Sequence, residues 1–223
     1  MLPKVAVIDP DLLIGVPQPT IAASGMDALS QLIEPFLSQR ANPFTDALAR
    51  DGMRRSARSL GRAYQEGMED PGVREDLALA SLLGGLCLAN SGLGAVHGLA
   101  AAAGARLSAP HGAVCAAVLT AADGCQSAGA ARSRPRTSCA SADDRGGELV
   151  DGSAGRHPEE AIGWLRDLTT ALSIPGLASY GPDDNAEISE VVTAAQKASS
   201  MRANPIELTD QEVSEIVSVR CDP

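Results

Sequence analysis

Aromatic side chains are nearly absent from this chain: Phe36, Phe44, Tyr64, Trp164 and Tyr180 are the only five in 223 residues. An interior so poor in rings must be built from Leu, Ala, Val and Ile. Such Ala-rich apolar surface suits closely packed helices, whereas a β-sandwich would need far more β-branched and aromatic residues. Excess positive charge is missing as well. With 18 Lys and Arg against 28 Asp and Glu, the formal charge is −10, which excludes a basic field for nucleic acid or an anionic membrane. The signature loops of several enzyme classes do not occur: no Gly-x-Gly-x-x-Gly follows a strand, and there is neither a Walker loop nor a Gly-x-Ser-x-Gly elbow. The five cysteines (Cys87, Cys115, Cys125, Cys139, Cys221) are odd in number and include no Cys-x-x-Cys pair. That usage favours reduced thiols in a cytoplasmic protein over a disulfide framework or a zinc ribbon. Nor does the N-terminus read as a secretory signal, because Asp9 and two prolines break its short apolar run.

What is present is a hydrophobic fraction of 44%, enough to form a core and to exclude disorder throughout. Length sets a prior of about one and a half domains. Residues 77–105 carry no formal charge apart from His97, yet glycines, Asn90 and Ser91 interrupt them and no basic cluster flanks them. They read as a buried helix, a turn and a second short helix, and not as a membrane span.

Val-Ala-Val-Ile, closing at Ile8, reads as one strand, and the rest reads as helices. Thr20 is placed to cap a helix through Met26–Ser38, with Pro35 expected to kink or end it. Asn42-Pro43 and Asp70-Pro71 open two more. The Arg54–Arg62 cluster on the first of these reads as a solvated face in so acidic a chain. Pro110 and Pro158 open shorter helices, another covers about 186–200, and the capping box Thr209-Asp-Gln-Glu212 announces the last. Residues 123–157 hold only two large aliphatics, Leu149 and Val150, so they are expected to form a disordered loop or to be scrambled sequence.

Two of the three histidines share a setting, Ala95-Val96-His97-Gly98 and Ala109-Pro110-His111-Gly112, each at the start of an expected helix. Upstream, Asp27 and Gln31 lie four apart on one helix face, with Glu34 roughly on it. Asp27, His97 and His111 would supply one carboxylate and two imidazoles, the donor set of an open Zn²⁺ or Fe²⁺ site. Two hydrogen-bonded core histidines and a helical Asp explain the same spacing. Ser91 and Cys115 are candidate nucleophiles near a histidine, without a third group to support them.

Four ordered stretches resemble the C-terminal half of iron-containing alcohol dehydrogenases: residues 24–34 (SGMDALSQLIE), 41–49 (ANPFTDALA), 93–99 (LGAVHGL) and 109–112 (APHG). The opening residues 5–11 are similar to the last strand of the family's nucleotide domain, and residues 199–209 to its usual close. The resemblance implies a mainly α fold, a bundle-like helical C-terminal domain with one residual β-strand at the N-terminus. It divides the chain into a remnant strand and linker (1–19), a helical metal-binding region (20–122), the poor segment (123–157) and C-terminal helices (158–223). It implies an oxidoreductase that interconverts an alcohol with an aldehyde or ketone, using NAD or NADP and Fe²⁺ or Zn²⁺. Carried over by position, the metal ligands are Asp27, His97, His111 and, where a histidine is common in the family, Gln31. An amide oxygen is a weaker ligand than imidazole, so lowered affinity is implied. A further family histidine near the nicotinamide is Ala101 here.

The family's Gly-rich pyrophosphate turn lies upstream of what this chain contains, so a truncated form without its nucleotide-binding domain is expected. The remaining readings are a non-catalytic helical remnant or interaction module, and a metal-independent reductase of the maleylacetate type. Expected partners are a small-molecule alcohol or carbonyl compound and a second copy of the chain in a homo-oligomer, with neither nucleic acid nor membrane.

Overall fold

The computed structural model of the chain describes residues 4–104, 106, 109–119, 158–180 and 185–218. Among them it is helical with no strand. The helices are α1 (Gln18–Leu37), α2 (Pro43–Glu66), α3 (Pro71–Ser91), α4 (Ala95–Gly104), α5 (111–119), α6 (Pro158–Ala171), α7 (Asn185–Gln196) and α8 (Asp210–Ser218). Short 3-10 turns cover Pro10–Leu13, Leu177–Tyr180 and Ser199–Ala203. The residual N-terminal strand is therefore corrected. Residues 4–9 have no regular structure, and Val5 and Val7 are 77% and 86% exposed. A strand needs a neighbouring ladder for its N–H and C=O groups, and none of the described residues offers one. The segment 123–157 lies outside the described residues.

Helix starts follow the local signals closely. Asn42 caps α2 by accepting from the Phe44 and Thr45 amides, while the Thr45 hydroxyl accepts from the Asn42 amide. Asp70 accepts from the Gly72 amide at the head of α3. The Thr209–Glu212 box forms as expected. Thr20 does not act as a cap: α1 begins earlier, at Gln18-Pro19, and takes Thr20 into its first turn. Pro35 sits in the last turn of α1, so its ring removes one bond from a helix that ends two residues later.

Helices α1, α2 and α3 pack on one another, α4 packs on α7, and α7 meets α8. The buried positions of α1 include Ala22, Met26, Leu29, Ile33 and Phe36, spaced alternately by four and three. On α2 the same spacing recurs at Ala49, Met53, Ser56, Leu60 and Ala63, and on α3 at Val73, Asp76, Ala80, Leu83 and Cys87. Gly92 ends α3 with φ +74°, a conformation that favours glycine, and α4 then leaves at a bend of 102°. No single helix among the described residues is long and apolar enough to cross a membrane.

The arginine run of α2 is solvent-facing at Arg54, Arg58 and Arg62, as expected, but its inner edge meets a carboxylate of α3. Asp76 of α3, with a side chain 10% exposed, accepts from Arg55 Nη1 at 2.9 Å, Arg58 Nε at 2.6 Å and Ser59 Oγ at 2.6 Å. Arg58 makes a second, bidentate contact through Nη2. Because α2 and α3 pack side by side, the face that carries Arg55 and Arg58 is turned toward this carboxylate. The Arg58 contact, against the opposing effect of burial and helped by Ser59 and Arg55, holds the Asp76 carboxyl down at about 2.

A carboxyl depressed in the folded state stabilises above its unfolded pKa, and that stability is lost as pH falls through the folded value. Asp76→Asn should therefore cost roughly 2 kcal/mol near neutral pH. In denaturant melts at a series of pH values, the gap between variant and parent should close as pH falls from about 4 toward about 2.

Candidate metal centre

One face of α1 carries Asp27, Gln31 and Glu34, each a helical turn from the next, and three chain segments meet it. The Glu34 carboxylate is buried, 4% exposed, at the head of α4. Its Oε1 accepts from the Val96 amide at 2.7 Å and the His97 amide at 3.4 Å, and Oε2 lies 2.5 Å from His97 Nδ1. The Asn204 side chain accepts from the Ala95 amide. Two side chains thus satisfy N–H groups that a helix start leaves without partners, and a negative charge sits where the helix dipole favours it.

With Nδ1 held by Glu34, His97 turns Nε2 toward Asp27 Oδ1, 3.2 Å away. Gln31 Nε2 donates to the other Asp27 oxygen at 2.9 Å. His111 opens α5, where Pro110 accepts the first amide bonds, and its Nε2 is 3.7 Å from Asp27 Oδ1. The two imidazole centroids are 5.4 Å apart. Cys115, one turn further along α5, places Sγ 3.6 Å from His111 Nε2 and 3.7 Å from Asp27 Oδ1. One donor atom from each of Asp27, His97, His111 and Cys115 lies within 4.8 Å of the others.

The histidines thus converge as their placement at two helix starts suggested, and Gln31 lies beside Asp27. Spacing alone did not reveal how Glu34 and Cys115 take part. Cys115 follows His111 by four residues, a same-face signal that was available in the sequence. Ser91 is fully buried and donates to Thr45 Oγ1, a packing role away from the histidines. Ala101 lies exposed on α4.

The electrostatics of the cluster are those of a cation held among carboxylates. Burial alone would push the His97 imidazole down, but hydrogen bonds and charge from Asp27 and Glu34 outweigh it and raise it to about 9. Burial likewise acts to raise Asp27, and the two histidines hold it below the usual carboxylate range. The Cys115 thiol is pushed up, first by burial and then by the nearby carboxylates.

The approach of α5 to α1 leaves no room for a side chain at Gly112, where a Cβ would stand 2.0 Å from the Ala23 carbonyl oxygen and 3.1 Å from Asp27 Cβ. Backbone cannot yield as a flexible side chain can. Gly112→Ala should therefore force the helices apart and destabilise the fold by about 1–3 kcal/mol, measured by denaturant unfolding. For the metal-free protein, histidine NMR titration should show one imidazole titrating near 9. Its value should fall toward that of an ordinary histidine in Glu34→Gln, because the neutral amide no longer favours the imidazolium.

The model of the family described as "Fe-containing alcohol dehydrogenase family, C-terminal" matches residues 21–220. Alcohol dehydrogenase 4 of Saccharomyces cerevisiae is 35% identical over 219 residues, covering 96% of this chain and 54% of that protein. The 1,3-propanediol dehydrogenase of Citrobacter freundii is 43% identical over 118 residues, 53% of this chain and 30% of that one. A crystal structure of a 1,3-propanediol oxidoreductase superposes with a TM-score of 0.83 at 30% identity, over 94% of this chain and 53% of that chain. The chain spans about half the length of the curated full-coverage relative and of that structure. With the match running through α1 to α8 and including Asp27, His97 and His111, the chain belongs to the iron-containing alcohol dehydrogenase family and corresponds to its C-terminal, helical region.

Proposed function

We propose that this chain holds the catalytic divalent metal, Fe²⁺ or Zn²⁺, of an NAD- or NADP-dependent alcohol dehydrogenase that interconverts an alcohol with an aldehyde or ketone. The observation that carries the reading is the convergence of Asp27, His97 and His111 donor atoms from three helices onto one point. The donors present fit a divalent ion, since a carboxylate and imidazole nitrogens suit both metals. His97 also has the outer carboxylate partner that metal-bound histidines commonly carry.

Bound there, the cation supplies a Lewis acid for the alcohol or carbonyl oxygen during hydride transfer. The chain's own residues prepare the place. Glu34 fixes the His97 ring and its tautomer, so that Nε2 is the nitrogen presented. Gln31 locks the Asp27 carboxylate by occupying Oδ2, which leaves Oδ1 facing the histidines. His111, with a side chain 48% exposed, lies on the open side from which a small alcohol or aldehyde would enter. The cofactor carries the redox step, and the nucleotide-binding part of the longer relatives must stand opposite this face for the two reactants to meet.

Calorimetric titration of chelator-treated protein with Zn²⁺, or with Fe²⁺ under anaerobic conditions, tests the reading. Stoichiometric binding that Asp27→Ala abolishes is expected. Glu34→Gln, which leaves every donor in place but loosens His97, should weaken binding about 10–100-fold. Absence of uptake by the parent protein would overturn the proposal.

A further inference from the structure

The fourth donor is the open question at this centre, because the position expected to supply it carries Gln31. Its amide nitrogen faces Asp27 Oδ2, since a carboxylate can only accept, and its Oε1 lies against Gly84 of α3. For Gln31 to offer oxygen to a cation, the amide would have to rotate, lose that bond and set one oxygen against another. Cys115 needs no such change. Its sulfur already faces two of the donors, in a side chain that is fully buried.

We infer that Cys115 Sγ is the fourth metal donor, and that this sulfur makes the centre a zinc-selective one. The inference rests on the metal-binding reading above and adds a donor to it. Distances support it directly. Bond lengths of about 2.3 Å to sulfur and about 2.0–2.1 Å to nitrogen or oxygen, at a tetrahedral angle, put donors about 3.3–3.6 Å apart. The Sγ to His111 Nε2 and Sγ to Asp27 Oδ1 separations are 3.6 and 3.7 Å, and His97 Nε2 to Asp27 Oδ1 is 3.2 Å. These three separations match edges of a zinc tetrahedron, and the four donors together, all within 4.8 Å of one another, close onto the ion with a shift of about 1 Å at the widest pair. His111 and Cys115 stand one turn apart on α5, so a single helix face delivers both.

Charge supports it as well. A thiolate and the Asp27 carboxylate together offset the two charges of a divalent ion, while the imidazoles add none. On binding, the thiol proton and the extra proton of His97 pass to solvent, and the cation replaces them. Thiolate ligation favours Zn²⁺ over harder ions. A four-donor set also resembles closed zinc sites more than open catalytic ones. A substrate oxygen would then reach the metal only by displacing a donor or by raising the coordination number.

Cobalt substitution of the full chain separates the possibilities. Titrating Co²⁺ into metal-free protein should produce a sulfur-to-cobalt charge-transfer band in the near ultraviolet, together with the visible bands of tetrahedral Co²⁺. In Cys115→Ser the ultraviolet band should vanish while the visible bands persist, and Zn²⁺ affinity should fall about 10–100-fold, at least as far as loss of an outer-shell partner costs. Cys87→Ser should leave the band intact. Should the serine variant fail to fold, X-ray absorption of the parent zinc protein reads the same donor as a sulfur shell at about 2.3 Å. Visible bands without the ultraviolet band, or a band that survives Cys115→Ser, would overturn the role of Cys115 and leave the metal centre standing. No cobalt uptake at all would overturn both.

Discussion

The structure turns on one buried carboxylate. Glu34 closes the head of α4 by accepting from two of its first amides, and the same group holds His97 through Nδ1. Burying a carboxylate is costly unless it is paired and fully hydrogen-bonded. Here the helix start and the imidazole meet that requirement together. The attachment of the head of α4 to α1 and the direction of a candidate ligand are therefore one interaction, and the start of α4 could not shift along α1 without misplacing His97.

The remaining groups follow from that anchor. Gln31, one turn before Glu34 on α1, spends its amide on Asp27, and Gly112 lets α5 approach the Ala23 carbonyl closely enough to bring His111 and Cys115 in. Positions with small or absent side chains set the helix separations, and polar side chains set the directions. A second polar seam, Asp76 with Arg55, Arg58 and Ser59, joins α2 to α3 away from the centre. It ties the two helices together.

Much of the fold was legible because helix boundaries are local chemistry. Asn42, Asp70, Pro110 and the Thr209–Glu212 box each satisfy amides within a few residues of themselves, and these positions, with Pro158, open helices where expected. The failures concern what local chemistry does not contain. Val-Ala-Val-Ile has the composition of a strand, but strand formation depends on a neighbour, and the described residues provide none. Arg55, at the edge of an otherwise solvated arginine face, meets Asp76 only once α3 lies beside it.

The helical class, the starts of the helices and the resemblance that pointed to Asp27, His97 and His111 were all present in the order of residues. Each of these is carried by residue type and short-range spacing. Tertiary structure alone decided which atoms face one another: that Glu34 orients His97, that Gln31 holds Asp27 while its oxygen lies against α3, and that Cys115 Sγ sits 3.6 Å from His111 Nε2. The reason is physical. Helix formation is settled by bonds four residues apart, whereas a donor set is settled by how closely separate helices can approach.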